Sequence, residues 1–276
     1  MTSHSPRTCK NSAFENDAVE AVRSLIRIDS VNTGDPETTG DGETRAARWV
    51  QAQLEEVGIT AEFVEPILGR GSLVARLAGS DPDAGALLVH AHLDVVPVVE
   101  SDWTHPPFGA EIEDGYLYGR GAVDMKNFAG VLVAAAREIV RSGVEPRRDL
   151  VFAFVADEES GGVHGASWLV DHRPDLFAGV TEALSEVGGF SIPFGGRRGY
   201  LLATAEKGVA GAKLTARGSA AHASRPQPTD PLVRLAGAIA RIGEHRFPVV
   251  RSEALTGFVA ALTGDGRALN DSELEE

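Results

Sequence analysis

The sequence predicts an α/β fold in which a mixed sheet is flanked by helices. Two observations predict it. Short apolar runs at 72–77, 86–92 and 149–156 are typical of buried strands. Stretches with apolar residues at helical spacing, at 43–57 and 125–141, alternate with these runs. Such alternation is typical of a parallel or mixed sheet with helices on both faces.

The elements before residue 120 follow from local signals. Ser12 and Glu15 form a capping-box pattern, which predicts a helix through about residue 28. After a loop rich in Gly, Asp and Thr, a second helix is expected from residue 43 to residue 57, ending at a glycine. Strands are expected at 59–65, 72–77 and 86–92, and a hairpin at 109–118.

The next segment continues the alternation. A helix over 125–141 is closed by Gly143, and a buried strand follows at 149–156. A helix at 163–172 and a strand at 183–185 come next.

The pattern changes after Gly195, which predicts a second domain. Two consecutive strand-like runs, 199–208 and 209–218, precede a helix at 230–245, and this order suggests a separate α+β unit. We therefore expect domains at 1–196 and 197–276, with the Gly-rich segment FGGRRG as a hinge. From residue 251 onward a polar, acidic tail is expected.

Composition limits the partners and the compartment. Twenty-six basic and 40 acidic residues give a net charge of −14, which argues against nucleic acid as a partner. The single cysteine, Cys9, excludes a disulfide within the chain and fits a reducing compartment. The first dozen residues do not resemble a signal peptide, and no apolar run reaches membrane-spanning length. We expect a soluble cytoplasmic protein that binds no membrane.

The segment LLVHAHLD, residues 87–94, is the first candidate for chemistry. His92 and Asp94 are two residues apart, so in extended backbone both side chains leave the same face. A histidine whose ring is held by a carboxylate is suited to bind a metal. A buried histidine that is merely satisfied by its neighbour explains the same pair.

Further acidic residues follow other predicted strands or precede a helix. They are Asp124, Glu158, Glu159 and Glu186. Ordinary explanations exist, because Asp124 could cap its helix and the paired glutamates could interact with a helix dipole. Their repeated occurrence at strand carboxyl ends favours a site, because ligands of α/β sheets gather at that edge. Oxygen ligands with an imidazole suit Zn²⁺, Co²⁺ or Mn²⁺.

Five ordered motifs resemble a known family. HAHLDVVPV, WTHPPF, DGYLYGRGAVDMK, DEESGG and SEVGG are similar to the M20 metallopeptidases, which include aminoacylases, carboxypeptidases and acyl-amino-acid deacylases. The resemblance extends from about residue 18 to residue 245. It implies a zinc-peptidase-like catalytic domain at 1–196 and a partial lid or dimerisation domain at 197–276.

The resemblance also implies a role for each candidate. His92 is expected to ligate one metal, with Asp94 orienting its ring. Asp124 is expected to bridge two metals, and the peptide bond after it to be cis. Glu186 completes the first site and Glu159 binds the second metal, while Glu158 is the general base.

These roles imply hydrolysis of an amide bond, in a peptide or an N-acyl amino acid, by a water that two Zn²⁺ ions activate, with Co²⁺ or Mn²⁺ as alternatives. In the second domain, His222 is expected to contact the substrate carbonyl. A homodimer through the lid domain is compatible with the resemblance.

The pattern lacks one ligand. The family supplies a final histidine to the second metal from a later segment, and only His222 and His245 follow Glu186 here. His222 matches another role, and His245 is better explained as a solvent-facing helix end. We therefore expect one complete and one incomplete metal site. A truncated, catalytically inactive remnant that binds metal or pairs with an intact homologue is the alternative hypothesis.

Overall fold

The computed structural model describes residues 12–35, 37–186, 188–194, 197–202, 211–219, 224, 230–248 and 250–263. The chain divides into two compact units, Met1–Glu186 and Val187–Glu276. The division precedes the boundary that the sequence places at 196/197. Among the residues described, no helix is long and apolar enough to cross a membrane.

A mixed five-stranded sheet forms the centre of the first unit, as predicted. Its strands are β1 (Ala61–Val64), β2 (Ser72–Leu77), β3 (Ala86–His92), β6 (Leu150–Val155) and β7 (Val180–Leu184), and β4 (Glu111–Glu113) and β5 (Tyr116–Tyr118) form the predicted hairpin. The order in the sheet is β1-β2-β6-β3-β7. Strands β6, β3 and β7 are parallel, whereas β1 and β2 run antiparallel to their neighbours.

The described residues of this unit form four α-helices. They are α1 (Ala13–Ile26), α2 (Gly42–Glu55), α3 (Lys126–Ser142) and α4 (Ala166–His172), and short 3₁₀ turns lie at Glu100–Asp102, Glu158–Ser160 and Pro174–Phe177. The predicted capping box at the start of α1 is confirmed, because Ser12 and Glu15 bond each other reciprocally. Helix α4 begins three residues later than predicted, because Gly165 before it has a non-helical conformation, with φ −112° and ψ −110°.

The sheet separates two cores. One face packs against the first three helices through fully buried side chains such as Leu54, Leu73 and Phe154. The other face, which includes Val151 and Ala153, packs against Leu169 of α4. Helices therefore cover both faces, as the alternation of strands and helices predicts.

The topology brings several chain segments to one edge of the sheet. The parallel register pairs His92 at the end of β3 with Val155 at the end of β6. Strand β7, which precedes Glu186, pairs with the other side of β3 and is also parallel to it. The carboxyl ends of three strands thus lie side by side, where α/β sheets place their ligands.

The strands of the second unit differ from their prediction. Strand β8 (Gly188–Phe194), which the sequence did not predict, pairs with β9 (Arg197–Leu202). Residues 194 and 197–199 of the predicted hinge FGGRRG belong to these strands, and the domain boundary at 196/197 stays a prediction. The predicted strand at 209–218 is wrong over the described residues 211–219, which contain no strand.

The helices of the second unit follow local signals more closely. Helix α5 (Pro231–Glu244) confirms the helix predicted at 230–245, and Asp230 caps it by accepting from the Leu232 N–H. The tail predicted from residue 251 was wrong over Glu253–Thr263, which forms α6. That segment is rich in Ala and Leu, which favour helix.

The close packing of α1 against α3 gives a stability prediction. A Cβ added at Gly130 in α3 would lie 2.6 Å from the Val22 backbone nitrogen in α1. Backbone cannot move as a flexible side chain does, so we expect Gly130→Ala to lower the free energy of unfolding by about 1–3 kcal/mol, measured by urea denaturation.

Gly237→Ala in α5 is the matched control. There the nearest atom to the added Cβ is Arg241 Nη1 at 3.6 Å, so the change should be neutral or stabilising because alanine favours helix. A stability of the Gly130→Ala variant equal to or above that of the wild type would contradict the tight packing of α1 on α3.

Candidate metal centre

His92 is buried at the carboxyl end of β3, with only 2% of its side chain exposed. Its Nδ1 lies 3.0 Å from the backbone carbonyl oxygen of Asp94 and 3.5 Å from Asp94 Oδ1. Both oxygens accept, so they favour a proton on Nδ1. The lone pair of Nε2 is then directed away from Asp94, which is the arrangement of a metal-ligating imidazole.

Asp94 is completely buried and joins β3 to the turn after β6. Its Oδ1 accepts the Glu158 N–H at 3.1 Å, and its Oδ2 accepts the Glu159 N–H at 3.0 Å and the Asn32 amide at 2.9 Å. Burial alone would raise the pKa of Asp94, but hydrogen bonds from His92 and Asn32 hold it below its usual range. The carboxylate therefore stays charged behind the imidazole.

Three carboxylates face the outer nitrogen of His92. Its Nε2 lies 2.9 Å from Asp124 Oδ1, 3.5 Å from Glu186 Oε2 and 3.9 Å from Glu158 Oε2. These side chains are 65%, 32% and 50% exposed respectively, so three solvent-accessible carboxylates surround one buried imidazole. The peptide bond between Asp124 and Met125 is cis, as the resemblance implies.

Within the part of the chain that the structure describes, two groups of three side chains offer ligand atoms within 4.8 Å of one another. The first, His92 with Asp124 and Glu186, is the set that the sequence assigns to the first metal. The second combines Glu159 with Glu158 and His92, whereas the sequence pairs Glu159 with Asp124. Both groups draw on the same imidazole.

The charges of the centre suit a cation. Burial alone would lower the pKa of His92, but Asp94, Asp124 and Glu158 raise it to about 10. The pKa of Glu159 is raised by burial and by Asp124. That of Glu186 is raised by burial and, against the effect of His92, by Asp124 and Glu158. A bound proton or a bound metal ion would reduce the electrostatic repulsion among the carboxylates around this ring.

A buried polar network lies behind the centre. Arg70 is 4% exposed, and its guanidinium donates to Glu43 at 2.5 Å and to Asn32 at 2.9 Å and lies 3.6 Å from Asp157. Glu43 in turn accepts the Asp157 N–H at 2.8 Å. The turn that carries Glu158 is thus held by residues of α2 and of the segment before β2.

Sequence reasoning missed this network. Arg70 and Glu43 are far apart in the chain, and Asn32 lies in a polar loop with no periodicity. The sequence signal that could have indicated it is the presence of opposite charges, Arg70 and Glu43, next to apolar segments, because such charges can pair when they are buried.

The structure describes the surroundings of His90 but not those of His222. His90 is half-buried with Nδ1 3.3 Å from Ser185 Oγ, and burial followed by the charge of His92 lowers its pKa. It belongs to neither group of ligand atoms. His222 lies outside the described residues, so its substrate-binding role stays a prediction.

The sequence comparison identifies the family. A sequence profile described as peptidase family M20/M25/M40 matches residues 88–270, more than half of the chain. The chain belongs to this peptidase family, as the five motifs predict.

Two curated relatives show how the likeness is distributed. The N-fatty-acyl-amino acid synthase/hydrolase PM20D1 of Xenopus tropicalis is 29% identical over 235 residues, 83% of this chain and 46% of the relative. Aminoacylase-1 of Sus scrofa is 33% identical over 165 residues, 59% of this chain and 39% of the relative. The chain therefore spans about half the length, or less, of the curated relatives it matches.

A solved structure confirms the fold class. Human carnosine dipeptidase 1 superimposes with a TM-score of 0.55 and 24% identity, over 62% of this chain and 38% of that chain. At this identity the likeness concerns the fold alone, a mixed sheet with flanking helices. The assignment of the second unit as a lid stays a prediction.

Burial of Glu43 gives a prediction on pH. Its pKa is raised from 4.5 to about 7, chiefly by burial and then by the charge of Asp94. The folded state therefore binds more protons than the unfolded state between these values, so this group's contribution to stability falls as pH rises through 7. Glutamine does not titrate, so the stability of Glu43→Gln minus that of wild type should increase by up to about 3 kcal/mol from pH 5 to pH 8, whatever its value at pH 5.

The measurement is urea unfolding of both proteins at four pH values across that window. Glu145→Gln, at an exposed position, is the control and should show no such trend. A constant difference between Glu43→Gln and wild type would show that Glu43 is ionised throughout.

Proposed function

We propose that this chain is a metal-dependent hydrolase, which cleaves an amide bond in a peptide or an N-acyl amino acid with a metal-activated water. One observation carries the proposal. The outer nitrogen, Nε2, of a buried and oriented imidazole lies 2.9 Å from Asp124 and 3.5 Å from Glu186. Membership of the peptidase family and the printed names of the relatives support the reaction class.

The donor set fits a divalent ion. His92, Asp124 and Glu186 would hold it, and Zn²⁺, Co²⁺ and Mn²⁺ all accept one nitrogen with carboxylate oxygens. Asp94 fixes the tautomer that such a bond requires. When bound, the metal would polarise the scissile carbonyl and lower the pKa of a water molecule. Glu159 would contribute to a second ion.

Glu158 is the proposed general base. Its carboxylate is half exposed, lies 3.9 Å from His92 Nε2, and so stands beside the proposed ligands rather than behind them. Its backbone N–H is held by Asp94, which fixes the start of the side chain. From this position Glu158 would take a proton from the attacking water and deliver it to the leaving amine.

The proposed substrate is an N-acyl amino acid, and the proposed assembly is a homodimer. The names of the two relatives suggest an N-acyl amino acid, and His222 would contact its carbonyl. A homodimer through the second unit is proposed from the resemblance alone. The single cysteine supports a cytoplasmic location.

One observation favours a second candidate function, an inactive metal-binding protein. Both groups of ligand atoms depend on His92, whose Nδ1 is committed to Asp94. One ring nitrogen cannot ligate two ions at once, so the described residues complete only one site. A chain with one ion would bind metal without the second ion that the resemblance to the M20 family implies.

Metal titration distinguishes the two candidates. We expect one tight equivalent of Zn²⁺ or Co²⁺ by calorimetry, and slow hydrolysis of N-acyl amino acids that stops on chelation and returns when the metal is restored. Tight binding without any turnover would support the inactive candidate. Turnover that survives exhaustive chelation would rule out a metal-dependent reaction.

Two substitutions separate the proposed roles of base and ligand. Glu158→Ala should lower turnover by about 10²–10⁴-fold and keep the metal, because it removes proton transfer without removing a ligand of the first site. His92→Ala should lose the metal. Metal content and turnover are measured on the same samples, and Glu145→Ala, at an exposed position, is the control for both.

Full turnover in Glu158→Ala would exclude Glu158 as the base. Retention of the metal in His92→Ala would exclude the imidazole as a ligand.

A further inference from the structure

Asn32 makes an unusual number of side-chain contacts for a loop residue. It is 3% exposed, and its amide nitrogen donates to Asp94 Oδ2 at 2.9 Å and to Asp157 Oδ1 at 3.2 Å. Its amide oxygen accepts from the Gly34 N–H, Arg70 and Ser160 Oγ at 2.9, 2.9 and 2.8 Å. The amide nitrogen therefore donates two hydrogen bonds, and the amide oxygen accepts three.

These contacts fix which way the amide points. With the oxygen and nitrogen exchanged, the NH₂ group would face the Arg70 guanidinium and the Gly34 N–H, and the oxygen would face two carboxylates. Both sets of contacts would then be repulsive. No rotation of the amide satisfies the site except the one observed.

The backbone around Asn32 is anchored independently of its side chain. The Asn32 N–H donates to the Val95 carbonyl at 2.9 Å, and the Val95 N–H donates to the Ser30 carbonyl at 3.1 Å. Ser30 Oγ donates to the Leu93 carbonyl at 2.6 Å. The backbone of this segment is therefore held beside the residues that follow β3 by contacts that do not involve the Asn32 amide.

We propose that Asn32 is a positioning residue for the metal centre. Its amide joins the carboxylate that holds His92 to the turn that carries Glu158 and Glu159. Without the amide, Asp94 and Asp157 would be two buried carboxylates with a shared donor missing, and their repulsion would displace Asp94 from the imidazole. The inference rests on the proposed function, because it concerns the same centre.

The test compares metal binding in three variants of the full chain. Asn32→Leu replaces the amide by an apolar group of similar size. Asn32→Ala, which leaves space for water, serves if the Asn32→Leu variant does not fold. We expect each to bind Co²⁺ about 10–100-fold more weakly than wild type by calorimetry, as for other groups that orient metal ligands. We also expect a shift in the visible absorption of the bound Co²⁺, which reports ligand geometry.

Ser30→Ala is the matched control. It removes a buried hydrogen bond of the same segment, and Ser30 is 1% exposed, but its hydroxyl bonds the Leu93 carbonyl rather than Asp94. It should lose stability in thermal unfolding while keeping the affinity and the spectrum of wild type. Thermal unfolding of each metal-free variant shows which of them are folded.

Each outcome decides a different point. Wild-type affinity and spectrum in a folded Asn32 variant would overturn the inference and leave the proposed function intact. An equal loss in Ser30→Ala would overturn it as well, because general loosening of the segment would then explain the effect. If wild type itself bound no Co²⁺, the proposed function would fail, and the inference with it.

Discussion

The buried carboxylate of Asp94 is the constraint on which the rest of the centre depends. It accepts two backbone N–H groups from the turn after β6 and lies against the ring of His92 at the end of β3. Parallel pairing of β3 with β6 brings these segments together, but pairing alone sets only the backbone. The carboxylate converts that backbone proximity into a fixed direction for one imidazole.

Burying this charge has an electrostatic consequence that extends well behind the centre. Asp94, Asp157 and Glu43 are three acidic side chains removed from water, and Arg70 lies among them with 4% exposure. Removing one partner from such a set leaves an uncompensated charge, which is strongly destabilising. The same set holds the turn that carries Glu158, so folding and ligand geometry depend on common contacts.

The sequence predicted the sheet and the proposed metal ligands better than the buried residues behind them. Strands at 72–77 and 86–92 match β2 and β3, because apolar runs are a local signal. His92, Asp124 and Glu186 come together as their positions at strand and helix ends imply. Asn32 and Arg70 carry no local pattern, since their contacts span 62 and 38 residues. Strand β8 was missed because its pairing with β9, rather than its own composition, defines it.

The division of the chain into compact units has a consequence for variation. Every contact described for the centre is made within Met1–Glu186, including the buried network behind it. Substitutions beyond Glu186 therefore remove none of these side chains. The groups that would hold the metal are therefore constrained by contacts within the first unit, whereas substitutions from Val187 onward can alter selectivity without removing those contacts.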